Sequence, residues 1–145
     1  MRVALGECRK IIAELFALMK QRHQEFAFRS MAEIMRFLAV DYELTSKDHP
    51  WKWRAAMDSQ ILQKILPKLH GSKRKIGSLL AALAKYCESP NEDEALKLLA
   101  NDVAADAYAS ECRKAEKTAM FKQSHRKLCE MLVAVHRDQF VSFIQ

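Results

Sequence analysis

Apolar residues recur every three to four positions along most of this chain, the spacing that gives a helix one buried face. Only three glycines and three prolines interrupt the pattern, and alanine, leucine, lysine, glutamate and methionine, which all favour helices, are frequent. The 145 residues, half of them hydrophobic, suffice for one core. We therefore expect an all-α fold, a compact bundle of about six helices forming a single domain over residues 1–145.

Breaks in the apolar pattern divide the chain into predicted segments. Helices are expected at 8–23, 30–43, 53–69, 72–87, 91–118 and 124–137. Ser30 and Ser72 are expected to cap the second and fourth of these helices, because a serine hydroxyl can accept a free amide of the first turn. Residues 45–52 read as a loop. The apolar end, 139–144, has little helical bias and predicts a docked extended tail or an edge strand.

The net charge of +6 is concentrated in one quarter of the chain. Residues 51–75 hold seven lysines and arginines against the single acid Asp58, whereas charges before and after this region nearly cancel. A local excess of this kind favours contact with an anion at one place over general affinity for polyanions.

A cluster that we call the basic turn lies in this region. Its members are Lys68, His70, Lys73, Arg74 and Lys75. The last three fall in the predicted first turn of a helix, where the macrodipole is positive and an anion would be stabilising. The basic turn is therefore a candidate site for phosphate or an acidic partner surface, and the alternative is a solvated turn that needs no partner. The flanking helices outline a helix-turn-helix, but few polar side chains follow residue 75, which favours contact with backbone phosphate over base reading.

Other patterns that could carry chemistry are incomplete. The run from Gly71 to Gly77 has the wrong spacing and lacks the lysine of a phosphate loop. His125, Cys129 and His136 could line one stripe of the last helix, but their apolar neighbours favour packing over metal or thiol chemistry. The four cysteines are widely spaced, which is typical of reduced thiols. We expect no metal site and no complete catalytic site.

No apolar run is long enough to span a membrane, and no signal-peptide pattern is present. Together with the reduced cysteines, this predicts a cytoplasmic protein without a membrane partner.

Three blocks of the sequence resemble the C-terminal helical lid of McrB-like AAA+ NTPases. The first, residues 26–38, reads FAFRSMAEIMRFL and is similar to the stretch that opens the lid. The second, residues 58–72, reads DSQILQKILPKLHGS and is the most specific of the three. The third runs from SHRKLCEM at residues 124–131 to FVSF at residues 140–143 and is similar to the usual end of these proteins. The blocks stand in the family's order and span nearly the whole chain.

The resemblance implies a lid module that contributes to a composite nucleotide site. Members of the family are NTP-driven ring motors of modification-dependent DNA restriction systems. Arg29 matches the arginine, often called sensor 2, that reaches the nucleotide's phosphates from the start of a lid helix. The phosphate loop and acidic strand that hold NTP and Mg²⁺ in the intact motor are missing here, so we expect no hydrolysis and no cofactor in the isolated chain. The implied partners are the AAA+ core, neighbouring motor subunits and a nuclease subunit, with DNA contacted only indirectly.

The sequence leaves two further functions open. The first is a small basic helical protein that binds nucleic acid, with the 68–75 turn on backbone phosphates. The second is a plain helical adaptor that binds neither nucleotide nor nucleic acid. A lid separated from its core would leave interface residues exposed, so weak homo-oligomers are expected at high concentration.

Overall fold

The computed structural model describes residues 2–45 and 49–144 and confirms the all-α fold. Within these residues there are seven α-helices and two short strands. The helices are α1 (Arg2–Lys20), α2 (Phe28–Thr45), α3 (Trp53–Gln60), α4 (Lys73–Glu88), α5 (Glu92–Leu99), α6 (Asp102–Ala109) and α7 (Lys122–Asp138). The strands are β1 (His70–Ser72) and β2 (Phe140–Ser142).

Helix α4 forms the centre of the bundle. Every residue from Ile76 to Cys87 is buried except Lys85, which is half-buried. Helices α1, α5, α6 and α7 all contact it. A helix that is apolar on nearly all sides must be surrounded, and its small residues let neighbouring backbones approach closely. The small residues of α4 are Gly77, Ser78, Ala81, Ala82 and Ala84.

The predicted third helix, 53–69, is helical over nearly its whole length but is a regular α-helix only to Gln60. After α3 the chain continues through a π-helical turn, Ile61–Ile65, and a 3₁₀ turn, Leu66–Lys68, in which proline supplies no amide donor. Strand β1 follows. Gly71 has φ of +148°, a conformation that side chains disfavour, so glycine is required at this corner.

Of the two predictions for the C-terminal segment, a docked extended tail or an edge strand, the structure shows the edge strand. Strand β2 pairs antiparallel with β1, and Gly71 lies opposite Val141. Val141 is buried, while Phe140 is half exposed. Residues 140–142 are thereby fixed beside the basic turn.

Two local predictions were wrong. The segment 91–118 is not one helix: Asn101 Oδ1 accepts the Ala104 amide at 3.1 Å and starts α6 as a separate helix, which accounts for seven helices instead of six. Helix α2 begins at Phe28, and the Ala27 carbonyl accepts the Ser30 amide at 3.0 Å. Ser30 therefore lies inside the first turn instead of capping it. In the predicted 45–52 loop, Thr45 ends α2, residues 49–52 are non-helical, and residues 46–48 lie outside the described residues.

A buried carboxylate joins two helices that are distant in sequence. Asp58, in α3, is 6% exposed. Its Oδ2 accepts the backbone amide of Gln123 and its Oδ1 accepts that of Ser124, both at 2.9 Å. The Ser124 hydroxyl donates back to the Asp58 carbonyl at 3.1 Å. The side chain therefore caps the N-terminus of α7 across the fold, where a negative charge is favourable.

No helix within residues 2–45 and 49–144 is long and apolar enough to cross a bilayer.

Candidate anion-binding surfaces

Arg29 lies on the surface in the first turn of α2. Its side chain is 90% exposed, and its Nε lies 3.4 Å from Oε1 of Glu33, one turn further along. The preceding Phe28 is also exposed and stacks at 6.2 Å on Phe16 of α1. The guanidinium thus stands at a helix start, where backbone amides add partial positive charge.

A second cation approaches the same carboxylate. Lys64 Nζ lies 3.3 Å from Oε2 of Glu33, so Arg29 and Lys64 share one acid. All three groups are at least one-third exposed, and such surface pairs stabilise a fold only weakly. The charges leave one net positive charge, and an incoming anion could replace Glu33 at little cost. Sequence reasoning identified Arg29 but missed Lys64 and Glu33, because only the fold brings residue 64 beside residue 33.

The basic turn is built from β1 and the start of α4. Ser72 caps α4 as predicted, its Oγ accepting the Lys75 amide at 3.2 Å. His70 is exposed, and its Nδ1 lies 3.2 Å from the Lys68 carbonyl. Lys68, Arg74 and Lys75 are exposed and have no ion-pair partner among the residues that the structure describes.

Lys73 differs from the other members of the basic turn. Its Nζ lies 3.4 Å from Oδ1 of Asp106, in α6, and its backbone amide donates to the Gln139 carbonyl at 3.0 Å. Asp106 also contacts His136 Nε2 at 3.2 Å. The ammonium and the backbone amide of Lys73 each have a partner within the protein. The turn therefore presents three unpaired cations, one histidine and a fourth cation, Lys73, that is paired with a surface carboxylate.

The predicted stripe of α7 divides into two environments. His136 lies at the surface beside Asp106, whereas His125 is fully buried with Cys129 Sγ 3.7 Å from its Nε2. Burial lowers the pKa of His125 below its ordinary value, although the nearby carboxylate of Glu88, 4.0 Å from Nε2, acts in the opposite direction. The imidazole is therefore held neutral.

The surroundings of His125 are a closed polar cluster rather than an open site. The Tyr108 hydroxyl donates to the same Glu88 carboxylate. A hydrogen bond with Cys112 and burial both raise the pKa of Cys129, so its thiol stays protonated and unreactive. Across the described part of the chain, no group of three or more His, Cys, Asp or Glu is arranged to hold a metal ion.

One helix presents an apolar face to solvent. Phe37, Val40 and Leu44, which we call the apolar stripe, lie at i, i+3 and i+7 on α2 and are 40%, 50% and 77% exposed. An exposed stripe of this kind is a candidate surface for contact with another protein.

Comparison with known proteins identifies a family without indicating an activity. No curated protein and no solved structure matches this sequence. A family model described as "Domain of unknown function (DUF8727)" matches residues 2–140. The chain belongs to this family of unknown function.

Proposed function

We propose that this chain is the helical lid of an McrB-like AAA+ NTPase and that Arg29 contributes to a composite nucleotide site. The proposal rests on one juxtaposition. Arg29, from the first resembling block, and Lys64, from the second, share Glu33 at the surface. Two cations that share one exposed carboxylate beside a helix start are suited to bind a terminal phosphate.

In this proposal the chain supplies a contact to the nucleotide, and the core of the motor carries out hydrolysis. The core of such a motor holds Mg²⁺ and the NTP whose phosphoryl group is transferred. Arg29 contacts the terminal phosphate, so the lid angle depends on whether that phosphate is present. The apolar stripe on α2 is the surface that would dock against the core or a neighbouring subunit. The four buried cysteines, none in a disulfide, fit a reducing compartment such as the cytoplasm.

The experiment is a reconstitution in trans. The full chain is added to an McrB-like core that lacks its lid, and both NTP hydrolysis and docking to the core are measured. We expect Arg29→Gln to dock normally and to reduce hydrolysis at least about 10-fold, which corresponds to about 1.4 kcal/mol of barrier. Arg36→Gln is the matched control because Arg36 is also an exposed arginine of α2. Failure of the chain to dock, or equal losses for both variants, would contradict the proposal.

A specific observation favours a second candidate function, nucleic-acid binding. Lys68, Arg74 and Lys75 are exposed together without a carboxylate partner among the described residues. Three phosphate contacts give log Kd against log salt a slope of about 2.7 in magnitude for duplex DNA. Replacing all three with alanine should abolish this salt dependence. Removing the exposed cations Arg9, Lys10 and Lys20 of α1 should not. Salt-independent binding, or no binding at low salt, would rule out this candidate.

Self-association is expected at the same apolar stripe. Sedimentation at rising concentration should show a dimer or weak oligomer, and Leu44→Lys should shift it toward monomer because a charge then replaces an exposed apolar side chain. A protein that stays monomeric at millimolar concentration would exclude it.

A further inference from the structure

An open groove of about 1100 Å³ lies between the second half of α2, residues 49–52 and the start of α3. Both tryptophans of the chain, Trp51 and Trp53, line it together with Phe37, which is 40% exposed. The remaining lining includes Asp41, Lys52 and Arg54. The groove is mostly apolar with a few polar groups, as ligand sites usually are, and its volume lies slightly above their usual range of about 300–1,000 Å³.

The aromatic rings of the groove are held in place by their neighbours. Trp51 Nε1 donates to Asp41 Oδ2 at 2.9 Å, and the Tyr42 ring meets the Trp51 ring edge-on with centroids 5.4 Å apart. The Arg54 guanidinium lies 4.8 Å from the centroid of the Trp53 ring. Trp53 and Arg54 thus form a preformed stack on which another flat group can be placed.

The charged side chains of the groove that have no partner are positive. Asp41 is the single acid among the described lining residues, and its carboxylate is occupied by Trp51. Lys52 and Arg54 are exposed, and neither has an ion-pair partner within the described chain. The complementary ligand therefore combines flat aromatic groups with negative charge.

We propose that this groove binds single-stranded nucleic acid. Bases stack on Trp53 and Arg54, while Lys52 and Arg54 contact backbone phosphates. Stacking on aromatic side chains beside a cationic rim is the usual means of binding an unpaired strand, and it requires bases that are free of a duplex. The groove is separate from the basic turn, since the two lie at opposite ends of the helical run 53–68. It does not depend on the proposed nucleotide-sensing role of Arg29.

The test uses the full chain and a short oligothymidylate. Because both tryptophans line the groove, quenching of intrinsic fluorescence reports occupancy there, and anisotropy of a labelled strand reports total binding. We expect saturable quenching. Trp53→Leu should weaken binding about 10-fold by removing a stacking face, whereas Trp53→Phe keeps an aromatic ring and most of the affinity. Arg54→Ala should also weaken binding and reduce the salt slope by about 0.7.

Controls separate the groove from other sites. Circular dichroism should show the same helix content in every variant. The triple variant K68A/R74A/K75A should leave quenching unchanged. The proposal is overturned if the oligonucleotide produces no quenching at low salt. It is also overturned if binding survives Trp53→Leu and Arg54→Ala but is lost in the triple variant. Quenching by an AAA+ core protein but not by the oligonucleotide would assign the groove to a protein partner and would equally overturn it.

Discussion

Replacing Asp58 with alanine tests whether the carboxylate cap holds α7 against the rest of the fold. The side chain is 6% exposed and accepts the amides of Gln123 and Ser124 at 2.9 Å each. Hydrogen bonds to a charged group contribute about 1.5–3 kcal/mol each. Because burial also costs the carboxylate its hydration, we take the lower value for both bonds, about 3 kcal/mol in total. The ratio of folded to unfolded protein should then fall about 150-fold.

The assay is urea denaturation followed by circular dichroism, with thermal melting in parallel. For a chain of this size, 3 kcal/mol corresponds to a fall in Tm of about 6–12 °C. Asp58→Asn should lose about 2 kcal/mol, because its amide oxygen replaces one of the two bonds and its charge is gone. In Asp58→Ala, amide hydrogen exchange should speed up more at Gln123 and Ser124 than in the centre of α4, each compared with the same amide in the wild type.

Two variants provide the scale. Asn91 caps α5 at the surface, accepting the Glu94 amide at 3.1 Å, and Asn91→Ala should cost about 1 kcal/mol. Glu130 is exposed on α7, and Glu130→Ala should change stability by less than about 0.5 kcal/mol. If Asp58→Ala costs no more than Asn91→Ala, the buried cap is not a major source of stability and the reasoning is refuted.

Three further predictions concern the core. Burial lowers the pKa of folded His125, so as pH falls below about 6.5 the unfolded chain takes up a proton first, and stability should decline by up to about 1.4 kcal/mol per pH unit relative to His125→Gln. The urea midpoint should therefore fall more between pH 7.5 and pH 5.5 in the wild type than in His125→Gln. The same fall in both proteins would argue against a buried neutral histidine. Gly71→Ala places a side chain at φ +148° and should cost more than about 1 kcal/mol in urea denaturation; an unchanged midpoint would show that the β1–β2 corner relaxes freely. Burial, with a smaller contribution from Glu7, raises the pKa of Cys8 to about 11, whereas a hydrogen bond with Cys129 lowers the pKa of Cys112. All four cysteines are buried, so Ellman's reagent should react at least about 100-fold more slowly with native than with denatured protein; rapid native labelling would contradict the closed core.

The positions of most elements could be predicted from local signals. The central helix α4 and its Ser72 cap are each encoded within a few residues, and both were identified. The divided 91–118 segment was missed because alanine and leucine continue across Asn101, and the apolar pattern outweighed a single capping residue. Ser30 was wrongly predicted to cap α2. The first turn instead begins with the backbone carbonyl of Ala27, which accepts the Ser30 amide, and a backbone carbonyl gives no sequence signal because every residue has one.

The candidate sites were predictable only as residue types. The basic turn follows from charge and position, whereas Arg29 was identified only through the resemblance to the AAA+ lid. The approach of Lys64 to Glu33 and the withdrawal of Lys73 to Asp106 depend on how helices pack. The groove between α2 and α3 had no sequence signal beyond two nearby tryptophans.

The amino-acid sequence by itself determined that the chain is helical, where its central helix lies and where positive charge accumulates, because helical periodicity, capping and proline act over one or two turns. The tertiary structure alone decided which cations are free, which carboxylate caps α7 and which histidine is buried neutral. These outcomes depend on contacts such as Asp58 with Ser124 and Lys73 with Asp106. Such contacts form between residues far apart in the chain, and short-range patterns do not predict which distant residues will come into contact.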